Sequence, residues 1–172
     1  MTEGVEEPIY WKLLTTMPID SLERASYAVT TYAKRWLIER YHYTLKEGCK
    51  VEELQFEDAE KIDKAIATYT IVSWRIMHMT YLARVCPDLP CTKMFLEDEW
   101  KALYCYAHKN SQIPKTPPTI NNAVRMLAKI GGFLGRKADG DPGVKVIWRG
   151  LRLLEGAVEM FRILNGKLVG NA

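Results

Sequence analysis

Four residues carry the clearest chemical signal in the chain: Tyr32, Arg35, Glu39 and Lys46, set three, four and seven positions apart. On a helix turning about 100° per residue they fall within roughly 60° of one another and form one polar stripe. An apolar stripe of Val29, Trp36 and Tyr43 runs beside it. From Tyr32 to Lys46 the polar stripe spans roughly 21 Å at about 1.5 Å per residue. That is too long for a single small-molecule site. It suits a track along a phosphate backbone, where Arg and Lys supply positioning contacts and Arg adds bidentate geometry. A charged, aromatic-rich amphipathic helix would produce similar spacings, so the motif alone leaves both readings open.

The elements that must position this stripe follow from the flanking sequence. Residues 1–8 are polar and acidic and read as an unstructured lead-in ending at Pro8. The run IYWKLLTT is rich in bulky and β-branched residues and predicts a short strand. No second strand is legible, and a lone strand makes no sheet. The expectation is therefore that the chain is a fragment, with residues 9–15 either pairing across a dimer or poorly ordered. Pro18 ends the strand, and Asp20 or Ser21 caps a helix running to about Lys46 and stopping near Gly48.

A second helix fits about 57–85, with Asp58 near its start and an apolar stripe of Ile62, Ile66, Tyr69, Val72, Ile76 and Met77. Arg75 lies within it, either facing the site carboxylate or snorkelling to solvent. The two prolines of VCPDLPCT mark a domain boundary, dividing 1–88 from 89–172. A third helix follows at about 93–108. After the proline-rich connector NSQIPKTPP, Thr119 caps a fourth helix that ends at Gly131-Gly132. The basic loop GRKADGDPG leads to a last helix, capped by Asp141 with Pro142 in its first turn and closing at Asn165-Gly166. Its apolar face, Ile147, Leu151, Leu154, Val158 and Phe161, packs either on a partner helix or within its own domain.

Composition sets the outer bounds. The 172 residues are 48% hydrophobic and 26% charged, enough apolar material for a core. With 24 basic against 21 acidic residues the net charge is only +3, so any nucleic-acid footprint must be local. No apolar run approaches the roughly 20 residues that span a bilayer, and the chain reads as cytoplasmic, with no membrane partner. Four cysteines in such a chain read as reduced thiols. Cys86, Cys91, Cys105 and His108 form a conceivable zinc set, but their spacing is looser than the paired Cys-x2-Cys of structural zinc sites.

The spacing Tyr-x2-Arg-x3-Glu-x6-Lys over Tyr32–Lys46 resembles the signature around the last acidic residue of DDE transposases of the insertion-sequence-four, Tn-five-like family. Trp11, with Pro8 and Leu14-Thr15 around it, resembles the family's tryptophan that stacks on an extruded base. Such stacking contributes about 1–3 kcal/mol. The competing reading of Trp11 is a core residue of a buried strand. LAKIGGFLGRKADGDPG followed by IWRGLRLLEGAVEMF is similar to the family's C-terminal tail. The resemblance covers about residues 8–165.

The resemblance implies a mainly α chain: one short strand and two helices from the end of an RNase-H-like catalytic domain, then a helical C-terminal dimerisation domain. It makes Glu39 the third carboxylate of a site for Mg²⁺ or Mn²⁺, where two metals drive in-line phosphoryl transfer. Trp11, Tyr32, Arg35 and Lys46 become contacts to transposon-end DNA, and the last helix becomes a homodimer contact. The two upstream aspartates of the family have no counterpart here, so the chain alone is expected to be inactive. Two other readings stand beside a transposase fragment: a non-catalytic dimerising protein that inhibits full-length transposase, and a helical interaction module unrelated to DNA.

Overall fold

A computed structural model describes residues 10–166. Among them the chain is helical and contains no strand, only an isolated bridge between Pro90 and Thr119. It divides into two compact units, Met1–Glu39 and Arg40–Ala172.

In the first unit, residues 10–15 form no strand, which corrects the expectation for IYWKLLTT; Ile9 lies outside the described residues. Trp11 is 68% exposed and Leu14 fully so, hence neither is a core residue. No ladder partner exists among the described residues, and without one a strand has nothing to bond to. Ser21 caps α1 (Leu22–Ala33), its hydroxyl accepting from the Arg24 amide at 3.3 Å.

The single helix expected to reach Lys46 is instead interrupted twice. The Thr30 hydroxyl donates back to the Ser26 carbonyl at 2.8 Å, a bond that bends helices. The Lys34 amide is shared between the Thr30 and Thr31 carbonyls, and the Arg35 amide turns tightly onto Tyr32 at 2.9 Å. α2 (Trp36–Tyr43) follows, and then a wider π-helical turn, Thr44–Gly48, closed by the Cys49 amide on the Thr44 carbonyl. One uniform rotation per residue therefore does not run from Tyr32 to Lys46.

The second unit holds the core. Asp58 caps α3 (Ala59–Val85) by accepting from the Glu60 amide at 3.0 Å. Of the α3 stripe Ile76 is buried, and Met79 is buried in place of Met77, which is half-buried, whereas Ile62 and Ile66 in its first turns stay exposed. The proline-rich segments cannot be helical, and they satisfy their backbone on each other instead. The Cys91 amide donates to the Pro118 carbonyl at 2.9 Å, and the Ile120 amide to Leu89 at 2.6 Å. α4 (Glu97–His108) starts later than its apolar pattern suggested, because Cys91–Lys93 forms a short 3-10 turn and Glu99 reaches back to accept from the Leu96 amide.

α5 (Ile120–Ile130), capped by Thr119, buries Ile120, Ala123, Val124, Met126, Leu127 and Ala128. α6 (Val144–Leu164) packs across α4 and α5. Its crossing with α5 depends on two glycines. A Cβ on Gly131 would lie 1.9 Å from the Val146 carbonyl oxygen, and one on Gly150 would lie 2.1 Å from that of Leu127. Backbone meets backbone at this point, and only hydrogen fits between. No helix among the described residues is long and apolar enough to cross a membrane.

Candidate functional site

Four of the five residues singled out in the sequence form one connected surface in the first unit. The rings of Trp11 and Tyr32 meet edge to face with centroids 6.4 Å apart. The Arg35 guanidinium lies 5.4 Å from the Tyr32 ring centroid and binds the Glu39 carboxylate at 2.7 Å. The negative charge of Glu39, and after it Tyr32, pushes the Arg35 pKa above its ordinary value. All four side chains are open to solvent, so the ion pair itself adds little to stability. The result is an aromatic and cationic ledge with a single carboxylate at its end.

Lys46, the fifth, belongs to the second unit, where it binds Glu52 at 2.6 Å; that bond raises its pKa. Arg75 binds Glu99 at 2.8 Å and the Met94 carbonyl at 3.2 Å, joining α3 to the start of α4. A second clamp, Arg162 to Asp98 at 3.2 Å, joins α6 to the same turn. An open groove of about 630 Å³ lies beside these clamps, between Tyr69 and Val72 on one side and Trp148, Leu151 and Val158 on the other.

A site for Mg²⁺ or Mn²⁺ needs several oxygen donors converging. Glu39 is one carboxylate, and a guanidinium already engages it. No group of three His, Cys, Asp or Glu residues among the described ones is placed to hold a metal ion. The donors in these residues therefore do not by themselves fit a two-cation centre. Of the proposed zinc set, Cys91 is fully buried, and burial pushes its thiol up to about 11. All four cysteines are free thiols.

The last helix takes one of the two packings that its sequence left open. Ile147, Leu154 and Val158 are buried, and Leu151 and Phe161 pack against the same core. Most of this face packs on α4 and α5 within the chain, and Leu151 and Val158 also border the open groove. The outward face carries a different apolar stripe: Leu153, Met160, Ile163 and Leu164, from 46 to 79% exposed. Gly156 lies in that stripe, and a Cβ there would meet nothing within 4 Å. Reading the sequence missed this stripe because the stronger inward pattern overshadowed it. The usable signal was a glycine in mid-helix that internal packing does not require.

Residues 71–166 match the family described as the transposase Tn5 dimerisation domain, from the second half of α3 through the end of α6. The match takes in the reciprocal glycine contact, both clamps and the outward stripe, and covers more than half of the chain. The chain belongs to the Tn5 transposase dimerisation domain family, and its function is transposase-related and dimerising.

Proposed function

We propose that this chain is the C-terminal part of a cut-and-paste DNA transposase of the insertion-sequence-four type, and that it forms a homodimer through the outward face of α6. The observation that carries the proposal is the exposed stripe of Leu153, Gly156, Met160 and Ile163 within a dimerisation-domain match. These residues recur at helical spacing on one face. An open glycine at its centre lets a second helix approach closely.

In this reading residues 1–88 belong to the end of an RNase-H-like catalytic domain and 89–172 to the dimerising part. Trp11 stacks on a base of the transposon end, while Tyr32, Arg35 and Lys46 hold phosphates. Glu39 is the third carboxylate, and Mg²⁺ or Mn²⁺ binds only where two further carboxylates join it. The Arg35–Glu39 pair then keeps the carboxylate ionised and oriented until a cation competes for it. The protein works in the cytoplasm, where its DNA is.

A second reading rests on the same dimerisation-domain match: a dimerising protein that pairs with full-length transposase and inhibits it.

Light scattering coupled to size exclusion, across a concentration series, tests the dimer. The wild-type chain is expected to be a dimer, and Leu153→Lys/Met160→Lys a monomer that still unfolds cooperatively, at a temperature lower by the stability that association adds. A wild-type monomer at every concentration, or a double variant that remains dimeric, refutes the outward face as the contact.

A further inference from the structure

The charge of this chain is concentrated in one place. Residues 125–152 hold Arg125, Lys129, Arg136, Lys137, Lys145, Arg149 and Arg152 against Asp139 and Asp141, a local charge of +5 in a chain whose total is +3. Of these, Lys145 is bound to Glu47 at 2.8 Å and Arg125 to Asp141, while Lys129, Arg136, Lys137 and Arg149 gather at the loop between α5 and α6. Gly132 and Gly135 have φ of 97° and 66°, and this lets the chain turn sharply after α5. The turn brings the Arg149 guanidinium of α6 to about 4 Å from the Cβ position of Gly132, and the Lys129 side chain of α5 to 3.8 Å from that of Gly135.

The two acidic residues do not neutralise the cluster. The exposed Asp139 carboxylate accepts from the Arg136 amide at 2.8 Å and offsets one charge of the cluster. That of Asp141 is already shared by Arg84 at 3.0 Å and Arg125 at 3.4 Å. Lys129, Arg136, Lys137 and Arg149 are exposed, and none is ion-paired with a carboxylate among the described residues.

We propose that this loop is a second nucleic-acid contact, binding the phosphate backbone of duplex DNA from within the dimerisation domain. Four cations converging on one loop match a polyanion, since duplex DNA carries one phosphate per about 3.4 Å of each strand. The surrounding loop offers no exposed aromatic ring on which an unpaired base would stack, so a duplex fits better than a single strand. The contact is independent of sequence, because it reads phosphates only. The choice of DNA among polyanions rests on the transposase reading; the cation cluster itself does not.

The test is fluorescence anisotropy of the full chain with a labelled duplex of arbitrary sequence, from about 50 to 200 mM salt. Arg136→Ala/Lys137→Ala is compared with wild type and with Tyr32→Ala/Arg35→Ala, and circular dichroism melting checks each fold. Losing two phosphate contacts lowers the slope of log K against log salt by about 1.8 and weakens binding by up to about 60-fold at 0.1 M salt. Loop variants that show both changes, whatever the duplex sequence, support the proposal. An unchanged affinity and slope overturns it, as does a wild-type chain that binds no duplex. Loss confined to Tyr32→Ala/Arg35→Ala overturns the loop contact while sustaining the Trp11–Tyr32–Arg35 surface. The reverse pattern sustains the loop and refutes that surface. Poly-glutamate that competes as well as unlabelled duplex overturns the assignment to DNA.

Discussion

Replacing Gly150 by alanine tests the packing argument at its narrowest point. In an isolated helix the change is favourable by about 1 kcal/mol, because glycine loses more backbone entropy than alanine. Here the new methyl group would lie 2.1 Å from the Leu127 carbonyl oxygen and 2.9 Å from its carbonyl carbon. Restoring an ordinary 3.4 Å contact requires α5 and α6 to part by about 1.3 Å. Both partners are helical backbone, so no rotamer change relieves the overlap. A gap of about 1 Å forfeits up to half of each dispersion contact along the seam, where Leu127, Ile147 and Leu154 are buried.

Overpacking of this kind costs about 1–3 kcal/mol or more, and a rigid backbone contact belongs at the upper end. The expected net loss is about 3 kcal/mol, or roughly 6–12 °C in melting temperature for a chain of this size. Gly156→Ala is the control, since its Cβ meets nothing within 4 Å. It should raise the monomer's melting temperature by about 2–4 °C, while weakening a dimer that uses close approach at that point. Thermal unfolding by circular dichroism reads both variants. Gly150→Ala melting within about 2 °C of wild type would mean that the helices do not meet as described.

Other perturbations reach different parts of the molecule. Leu154→Lys places a charge in the covered face of α6 and should abolish cooperative unfolding, while Met160→Lys on the open face should leave it intact; urea titration separates them. Glu99→Ala removes both the Arg75 ion pair and the acceptor for the Leu96 amide, and should cost about 2 kcal/mol in the same assay. Burial holds the Cys91 thiol at about 11 against an ordinary value of 9.0. Because the folded pKa is the higher one, the native state keeps its proton longer. Its stabilising share is therefore whole below pH 9 and lost as pH rises from 9 to 11, on the order of 2–3 kcal/mol. Cys91→Ala should flatten that part of the stability profile, and a profile unchanged by the substitution contradicts the burial argument. Reaction with a thiol reagent under native conditions should mark Cys86 and Cys105 well before Cys49 and Cys91, as read by mass spectrometry.

Caps and stripes in the sequence located most of the helices, because those signals are local. Asp58, Thr119 and the glycines after α5 and α6 stand where their chemistry requires. What escaped was the competition between local bonds. The Thr30 hydroxyl and a shared Lys34 amide interrupt α1 before Arg35, and no periodicity reports that. The inward face of α6 illustrates a second limit. An apolar stripe specifies burial but not the surface that buries it, and α4 with α5 supplies that surface within the chain. For the site, the spacing of Tyr32, Arg35 and Glu39 was informative because it lies within about two turns, and Trp11 joins them through an edge-to-face ring contact. Lys46 lay beyond the interruptions, and its charge settles on Glu52.

The reciprocal glycine contact acts as a notch that fixes the phase of two helices. Gly131 faces the Val146–Gly150 turn, and Gly150 faces Leu127, one turn before Gly131. Sliding α6 along α5 by one turn would oppose a side chain to backbone at both points, so only one alignment closes. The loop that joins the two helices is then relieved of any duty to set their alignment. Its length is free to vary at Gly140, where nothing lies within 4 Å of the Cβ position, as long as Asp141 keeps Arg84 and Arg125 and the cations at Arg136 and Lys137 stay in place. The helices on either side tolerate no such change, because a single inserted residue in α6 before Gly150 would rotate the notch by about 100° and close the gap it provides.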